Sequence, residues 1–307
     1  MSTDDEQIAR AELTWLAEPR DRQLGALVRA TGAVEAMAVI RAGRLPHDMG
    51  LTANPGWQRA LERWHAALER VPRRGDVERA LGGRFRLVYP GCAEWPGGLD
   101  GLGDAVPIAL WVAGAADLRF SCRRSVAVSG ARAASAYGAY LGAELGGSLA
   151  GHGWTVISGA SFGIDASAHH GALGADGVTI AVTAGGLDEP YPAAHFDLFD
   201  AIAAQGALVS EAPPGARVSR LRFEARQRVI AALATGTVII EAGSRSGAMT
   251  AARHARDLGR PVMAVPGPVT SDLSSGCHEL IQRRHAVLVT CARDVVNELE
   301  TALAADS

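Results

Sequence analysis

Lysine does not occur once in this 307-residue chain, so all 30 basic residues are arginines. A P-loop, which needs a lysine on the β/γ-phosphates, is therefore excluded, and no GxxxxGK(S/T) run is present. Any phosphate contact from a basic side chain must come from planar guanidinium groups, which bind bidentately and stack on bases. The four cysteines, Cys92, Cys122, Cys277 and Cys291, are scattered and show no CxxC pair or other metal-ligand spacing. They read as ordinary thiols of a cytoplasmic protein, and neither a metal nor a cofactor is expected. No run of about 18 apolar residues occurs, so no membrane-spanning helix is expected. The acidic start, MSTDDEQ, has no apolar stretch behind it, and no signal peptide is expected either.

What is present describes a folded chain: 48% hydrophobic and 21% charged residues. The net charge of −3 does not advertise an anion-binding protein, but its distribution does. Between Ala212 and Arg260 lie nine arginines, at 217, 220, 222, 226, 228, 245, 253, 256 and 260, against Glu224, Glu241 and Asp257. A local positive field on a near-neutral protein suits an anionic ligand, although a solvated arginine face would give the same count.

Two regions differ in pattern. Residues 1–80 read as a small all-helical domain: AELTWLAE, QLGALVRA and AVEAMAVIRAG carry apolar residues at helical spacing, broken at Pro19, Gly32 and Gly43. Asn54-Pro55 is expected to cap and open a further helix. Over 84–303, apolar runs (FRLVYP, IALWVAG, SVAVSG, WTVISG, VTIAVTAGG, ALVSE, TVIIEAG, PVMAVPG, AVLVT) alternate with turns or helical segments. Strands apolar on both faces and separated by helices predict an α/β, doubly wound, mainly parallel sheet. Its ligand crevice should lie beyond the strands' carboxyl ends, where Gly130, Gly159, Gly185, Gly186, Gly243 and Gly267 fall.

The loop SGARAASAYG (129–138) is not GxGxxG, and no acid follows the second strand, WTVIS, to bind a ribose. Gly130, Arg132 and Ser135 at a helix start could instead hold a phosphate, though such turns also serve packing alone. In SGASFGIDASAHHGAL (158–173), Asp165 and His169 lie four apart on one helix face, as a structural contact or an acid–base pair. SRLRFEARQR interleaves Phe223 with Arg220, Arg222, Arg226 and Arg228, a pattern suited to single-stranded nucleic acid. EAGSRSG sets Arg245, Ser246 and Gly247 at another helix start.

Taken in order, these motifs resemble the DprA/Smf family of bacterial DNA-processing proteins. The resemblance spans about residues 84–300. It rests on Tyr89-Pro90, SGAR…YG, SGASFGIDASAHHGAL, GGLDEPYP, SEAPPG, FEARQRVIAAL, EAGSRSGAMTAA, VPG and SGCHELI. It implies an extended Rossmann-like domain that binds single-stranded DNA without sequence preference, forms homodimers and loads the RecA recombinase in natural transformation. It also implies no catalytic residue. Carried onto this chain, the DNA contacts would be Gly130, Arg132, Ser135 and Gly138 in the first loop and Gly159 and Gly163 in the second. Arg226 and Arg228 would serve in the basic segment and Ser246 and Gly247 in the SG turn, with Phe162, Phe223, Gln227 and Arg245 beside them.

Several positions depart from the family pattern: Phe162 replaces an arginine, Glu224 a proline, Gln227 an asparagine, and His278 ends a GxN triplet. Phe162 could exchange a phosphate contact for base stacking. The helical segment resembles the family's sterile-alpha-motif or helix-hairpin-helix extension, and a C-terminal winged-helix domain is not expected. Two rival readings remain on related Rossmann-like folds. One is a phosphoribohydrolase-like nucleotide-processing enzyme, whose PGGxGTxxE motif has only EAGSRSGAMTAA as its counterpart. The other is a small-nucleotide sensor.

Overall fold

The computed structural model describes residues 3–45 and 55–305. Helices span Thr3–Leu16, Arg22–Thr31, Ala33–Ala42, Pro55–Ala66 and Arg74–Gly82. Their breaks fall where chain geometry requires them. Gly32 (φ 82°) and Gly43 (φ 63°) adopt left-handed backbone that a side chain disfavours. Asp21 caps the second helix by accepting from the Gln23 and Leu24 amides, each at 3.1 Å. It also accepts from the Trp64 indole at 3.0 Å, tying two helices together. Asn54, the expected cap of the helix at Pro55, lies outside the described residues.

These helices enclose a core of their own around Leu13, Leu24, Leu27, Met37, Ile40, Leu61 and Trp64. The first helix has a second allegiance. Its Ile8 and Ala11 pack with Trp111, Leu87 and Phe199 of the sheet domain. Thr14 Oγ1 accepts from the Trp111 indole at 3.2 Å, and Arg10 donates to the Ile108 carbonyl at 2.9 Å.

All nine apolar runs form strands of one sheet. They are β1 (Arg86–Val88), β2 (Leu110–Ala113), β3 (Ser125–Ser129), β4 (Thr155–Ser158), β5 (Thr179–Thr183), β6 (Ala207–Ser210), β7 (Gly236–Ile239), β8 (Val262–Ala264) and β9 (Val287–Leu288). The order is β1-β2-β6-β5-β4-β3-β7-β8-β9. From β6 to β9 every pairing is parallel, while β2 runs antiparallel to both β1 and β6. The stretch β5-β4-β3-β7-β8-β9 has the Rossmann order, and β6-β2-β1 extends it.

Both faces are covered, which is why the central strands are apolar throughout. Val126 and Val128 of β3 point into a core with the helices Ala136–Gly151, Ile164–Gly174 and Ala292–Ala305. Ala127, between them, faces the helix Arg220–Leu233 on the other side. Sequential strands reverse their direction of travel between β3 and β7. The loops after those two strands therefore diverge, and the crevice between them is where this topology places a ligand. Among the described residues no single helix is long and apolar enough to cross a membrane.

Candidate nucleic-acid interface

A cleft of about 620 Å³ opens at that reversal, between the loops after β3 and β7 and the start of the helix Arg220–Leu233. Gly130, Arg132, Phe223, Arg226, Gln227, Arg245, Ser246 and Gly247, all expected site residues, line it together. Arg132 and Arg245 are exposed at its rim. Two guanidiniums lie over the Phe223 ring, Arg132 at 5.4 Å and Arg226 at 4.7 Å from its centroid, with Tyr191 edge-on at 6.0 Å. Cation–π contact fixes the ring while leaving the outer cation, Arg132, open to solvent.

The helix Gly247–Asp257 begins at the cleft. Ser246 caps it through a bond from the Ala248 amide, and space beside Gly247 is open. The Ala248 and Met249 amides are held by Ser246, so an anion approaching this end meets the positive pole of the helix beside Gly247. Two further arginines line the cleft that the motifs did not single out. Arg253 follows Ser246 and Thr250 at helical spacing, which could have identified it. Arg20 arrives from the helical segment, in a turn at φ 70°, and no local pattern announces it. Neither arginine forms an ion pair among the described residues, and neither do Arg132 and Arg245. Arg220 does pair with Glu224, at 3.1 Å on the surface.

Other expected contacts are taken up inside the protein. Arg226 and Arg228 were expected to meet phosphates, and both are buried. Arg226 donates to the carbonyls of Gly159 (2.5 Å) and Val182 (3.1 Å) and to Ser161 Oγ (2.6 Å), with Asp165 at 3.9 Å. Burial brings its guanidinium down to about 10, against the attraction of Asp165, and Arg132 nearby lowers it further. The Asp165 carboxyl is pushed up by burial and held back by Arg226. Arg228 lies behind the cleft with Glu211 at 2.6 Å. The expected Asp165–His169 contact is replaced by separate partners. His169 bonds Thr179 Oγ1 at 2.7 Å, and burial pulls its pKa down to about 3.

Ser135 caps its helix through the Gly138 amide, but its own amide and hydroxyl are taken by the Glu241 carboxylate, at 2.9 and 2.5 Å. Glu241 is 3% exposed. It fills the place at the first helix start where a dinucleotide fold seats its pyrophosphate. A side chain at Gly138 would collide with this carboxylate, which accounts for the glycine. Gly163 (φ 76°) presses on the Ala131 and Arg132 carbonyls, and Gly159 lies against the Arg226 guanidinium. These glycines shape the loops from behind. Phe162 is 46% exposed and packs edge-on against His195 at 4.6 Å, outside the cleft. Among the described residues no cluster of three His, Cys, Asp or Glu side chains could hold a metal.

Residues 86–300 match the family described as DNA recombination-mediator protein A. The chain is 44% identical to a DNA processing protein DprA of Mycobacterium tuberculosis over 298 residues, covering 94% of this chain and 74% of that one. It is 40% identical over 214 residues to the DNA processing protein DprA of Streptococcus pneumoniae, covering 69% and 73% respectively. The crystal structure of the S. pneumoniae protein superposes with a TM-score of 0.76 at 29% identity, covering 97% of this chain and 99% of that one. A structure of DNA processing protein A from Helicobacter pylori, whose subject is its single-stranded DNA binding mode, aligns with a TM-score of 0.62 at 27% identity. It covers 71% of this chain and 97% of that one.

Proposed function

The chain belongs to the DNA recombination-mediator protein A family, and from that premise we propose that it binds single-stranded DNA across the arginine-rimmed cleft and loads RecA onto the bound strand. The observation that carries this reading is the pairing of an open rim with a closed floor. Arg20, Arg132, Arg245 and Arg253 line the cleft without internal ion pairs, while Glu241 occupies the position a nucleotide's phosphates would need. Guanidiniums and the positive pole of a helix start meet backbone phosphates, and the exposed Arg132 guanidinium, held over Phe223, can stack on a base. Guanidinium contacts to phosphates carry no sequence information, which fits binding without sequence preference. The protein acts as a binding partner that delivers DNA, working as a homodimer in the cytoplasm during transformation or recombination.

Binding to single- and double-stranded oligonucleotides, titrated with salt, tests the first part. Four neutralised phosphates give a log–log slope of about −3 on a single strand, at about −0.7 per phosphate. Preference for duplex, or affinity indifferent to salt, refutes the reading. Shortening of the lag in RecA filament assembly on the coated strand tests the second part, and sedimentation tests the dimer.

A further inference from the structure

A second and larger depression, of about 910 Å³, lies between the helical segment and the loop after β6. Its lining includes apolar groups of Trp15, Ala66, Pro213 and Pro214. Four arginines, Arg63, Arg70, Arg217 and Arg222, stand around it against the carboxylates of Glu18 and Asp21. Both acids are already committed. Asp21 pairs with Arg63 at 3.0 Å, and Glu18 holds Arg222 through bonds of 2.8 and 3.0 Å. Arg70 and Arg217 are exposed and form no ion pair among the described residues, so their charge faces solvent.

The trough and the cleft are lined by neighbouring residues of the same two segments. Glu18 and Arg222 line the trough; Arg20 and Arg220, each two residues away in sequence, line the cleft. The two segments are braced together. Besides holding Glu18, Arg222 donates to the Arg217 carbonyl at 2.7 Å, and Ser219 caps the helix that begins there. A chain leaving the cleft past Arg20 and Arg220 would enter the trough next.

We propose that the trough is a second segment of the single-stranded DNA path, in which Arg70 and Arg217 take backbone phosphates and the apolar lining receives bases. This rests on the reading of the cleft given above. Its support is charge complementarity, continuity with the cleft, and a combination of apolar lining and cationic rim that suits unpaired bases on a backbone. The helical segment then becomes part of the DNA-binding surface.

The test compares the full chain with Arg70→Glu/Arg217→Glu on oligothymidylates from about 4 to about 16 nucleotides, the span of site sizes common for single-strand binders. The expected result depends on length. The shortest oligonucleotides, which the cleft alone accommodates, should bind the double variant within about twofold of the parent. The longest should lose at least about tenfold, with a salt slope shallower by about 1.4, two phosphates at about 0.7 each. Arg132→Ala, in the cleft, should weaken every length. Equal affinity of parent and double variant at all lengths overturns the second segment while leaving the cleft standing, and so does an equal loss at all lengths. Failure of the parent to bind any length removes the reading of the cleft and this one together.

Discussion

Two arginines five ångströms from the same phenyl ring should behave in opposite ways when removed. Arg226 and Arg132 both stack on Phe223, at 4.7 and 5.4 Å. Arg226 is 5% exposed and gives its guanidinium protons to two carbonyls and a hydroxyl. Arg226→Ala leaves the buried Asp165 carboxylate without its cationic partner, held only by the Ser161 amide, at 3.2 Å, and by the hydroxyls of Ser158 and Ser161. Breaking a buried pair in this way costs about 3–5 kcal/mol. At roughly 2–4 °C per kcal/mol for a domain of this size, Tm should fall by about 6–20 °C. Arg132 is exposed, and Arg132→Ala should change stability by less than about 0.5 kcal/mol. It should instead weaken single-stranded DNA and flatten the salt slope by about 0.7. Thermal unfolding and oligonucleotide binding, run on both variants, check the pair. A third protein, Arg226→Met/Asp165→Leu, replaces both charges with apolar groups and should recover much of the lost stability. An Arg226→Ala protein that keeps the parent Tm but loses DNA would refute the reasoning, because its guanidinium would then be free for phosphate.

Three further outcomes follow from the same geometry. Glu241→Ala orphans the Ser135 amide and opens the helix start, so stability should drop by about 3 kcal/mol. Inorganic phosphate should then raise the variant's Tm more than the parent's, and an equal response would count against an internal carboxylate in an anion site. Burial, and after it the charges of His170, His195 and Arg226, hold the folded-state pKa of His169 at about 3 against an ordinary 6.5. The unfolded chain takes up the proton first. Its stabilising contribution is complete above the ordinary value and lost as pH falls towards about 3, at up to about 1.4 kcal/mol per pH unit. In His169→Gln, urea unfolding across that window should show an acid limb shallower by about one proton. Phe162→Ala should leave the affinity of short oligonucleotides unchanged, since Phe162 packs on His195 outside the cleft; a loss at the shortest length would place it on the path.

Much of the sheet was legible because its strands are buried on both faces and so read as unbroken apolar runs. The mainly parallel character and the crevice beyond the strand ends came with that pattern. The antiparallel turn of β2 did not, since an apolar run carries no direction. The rim was half legible. Arg132, two residues after Gly130, and Arg245, between two serines, stand in loops, where exposure is the default. Arg226 and Arg228 look equally basic in sequence, but they sit on the helix Arg220–Leu233, buried almost all round from Ala225 to Leu233. The run VIAAL in its second half carried the warning, because a helix apolar on every side lies inside the molecule. Arg20 had no such signal. Its place depends on how a distant turn meets the sheet domain, and only tertiary structure decides that.

The carboxylate of Glu241 also has a consequence for movement. A fold of this kind with an empty first helix start is a socket: one phosphate drops in, and everything attached to it is fixed in register. Here the protein keeps that socket filled with its own anion, and on the proposed reading a strand would rest on the rim. Without a deep seat no single nucleotide is privileged, so each step along the backbone exchanges one set of guanidinium contacts for an equivalent one. A strand held in this way is gripped but remains free to slide, the condition under which one protein could give way to another along a DNA strand without first releasing it.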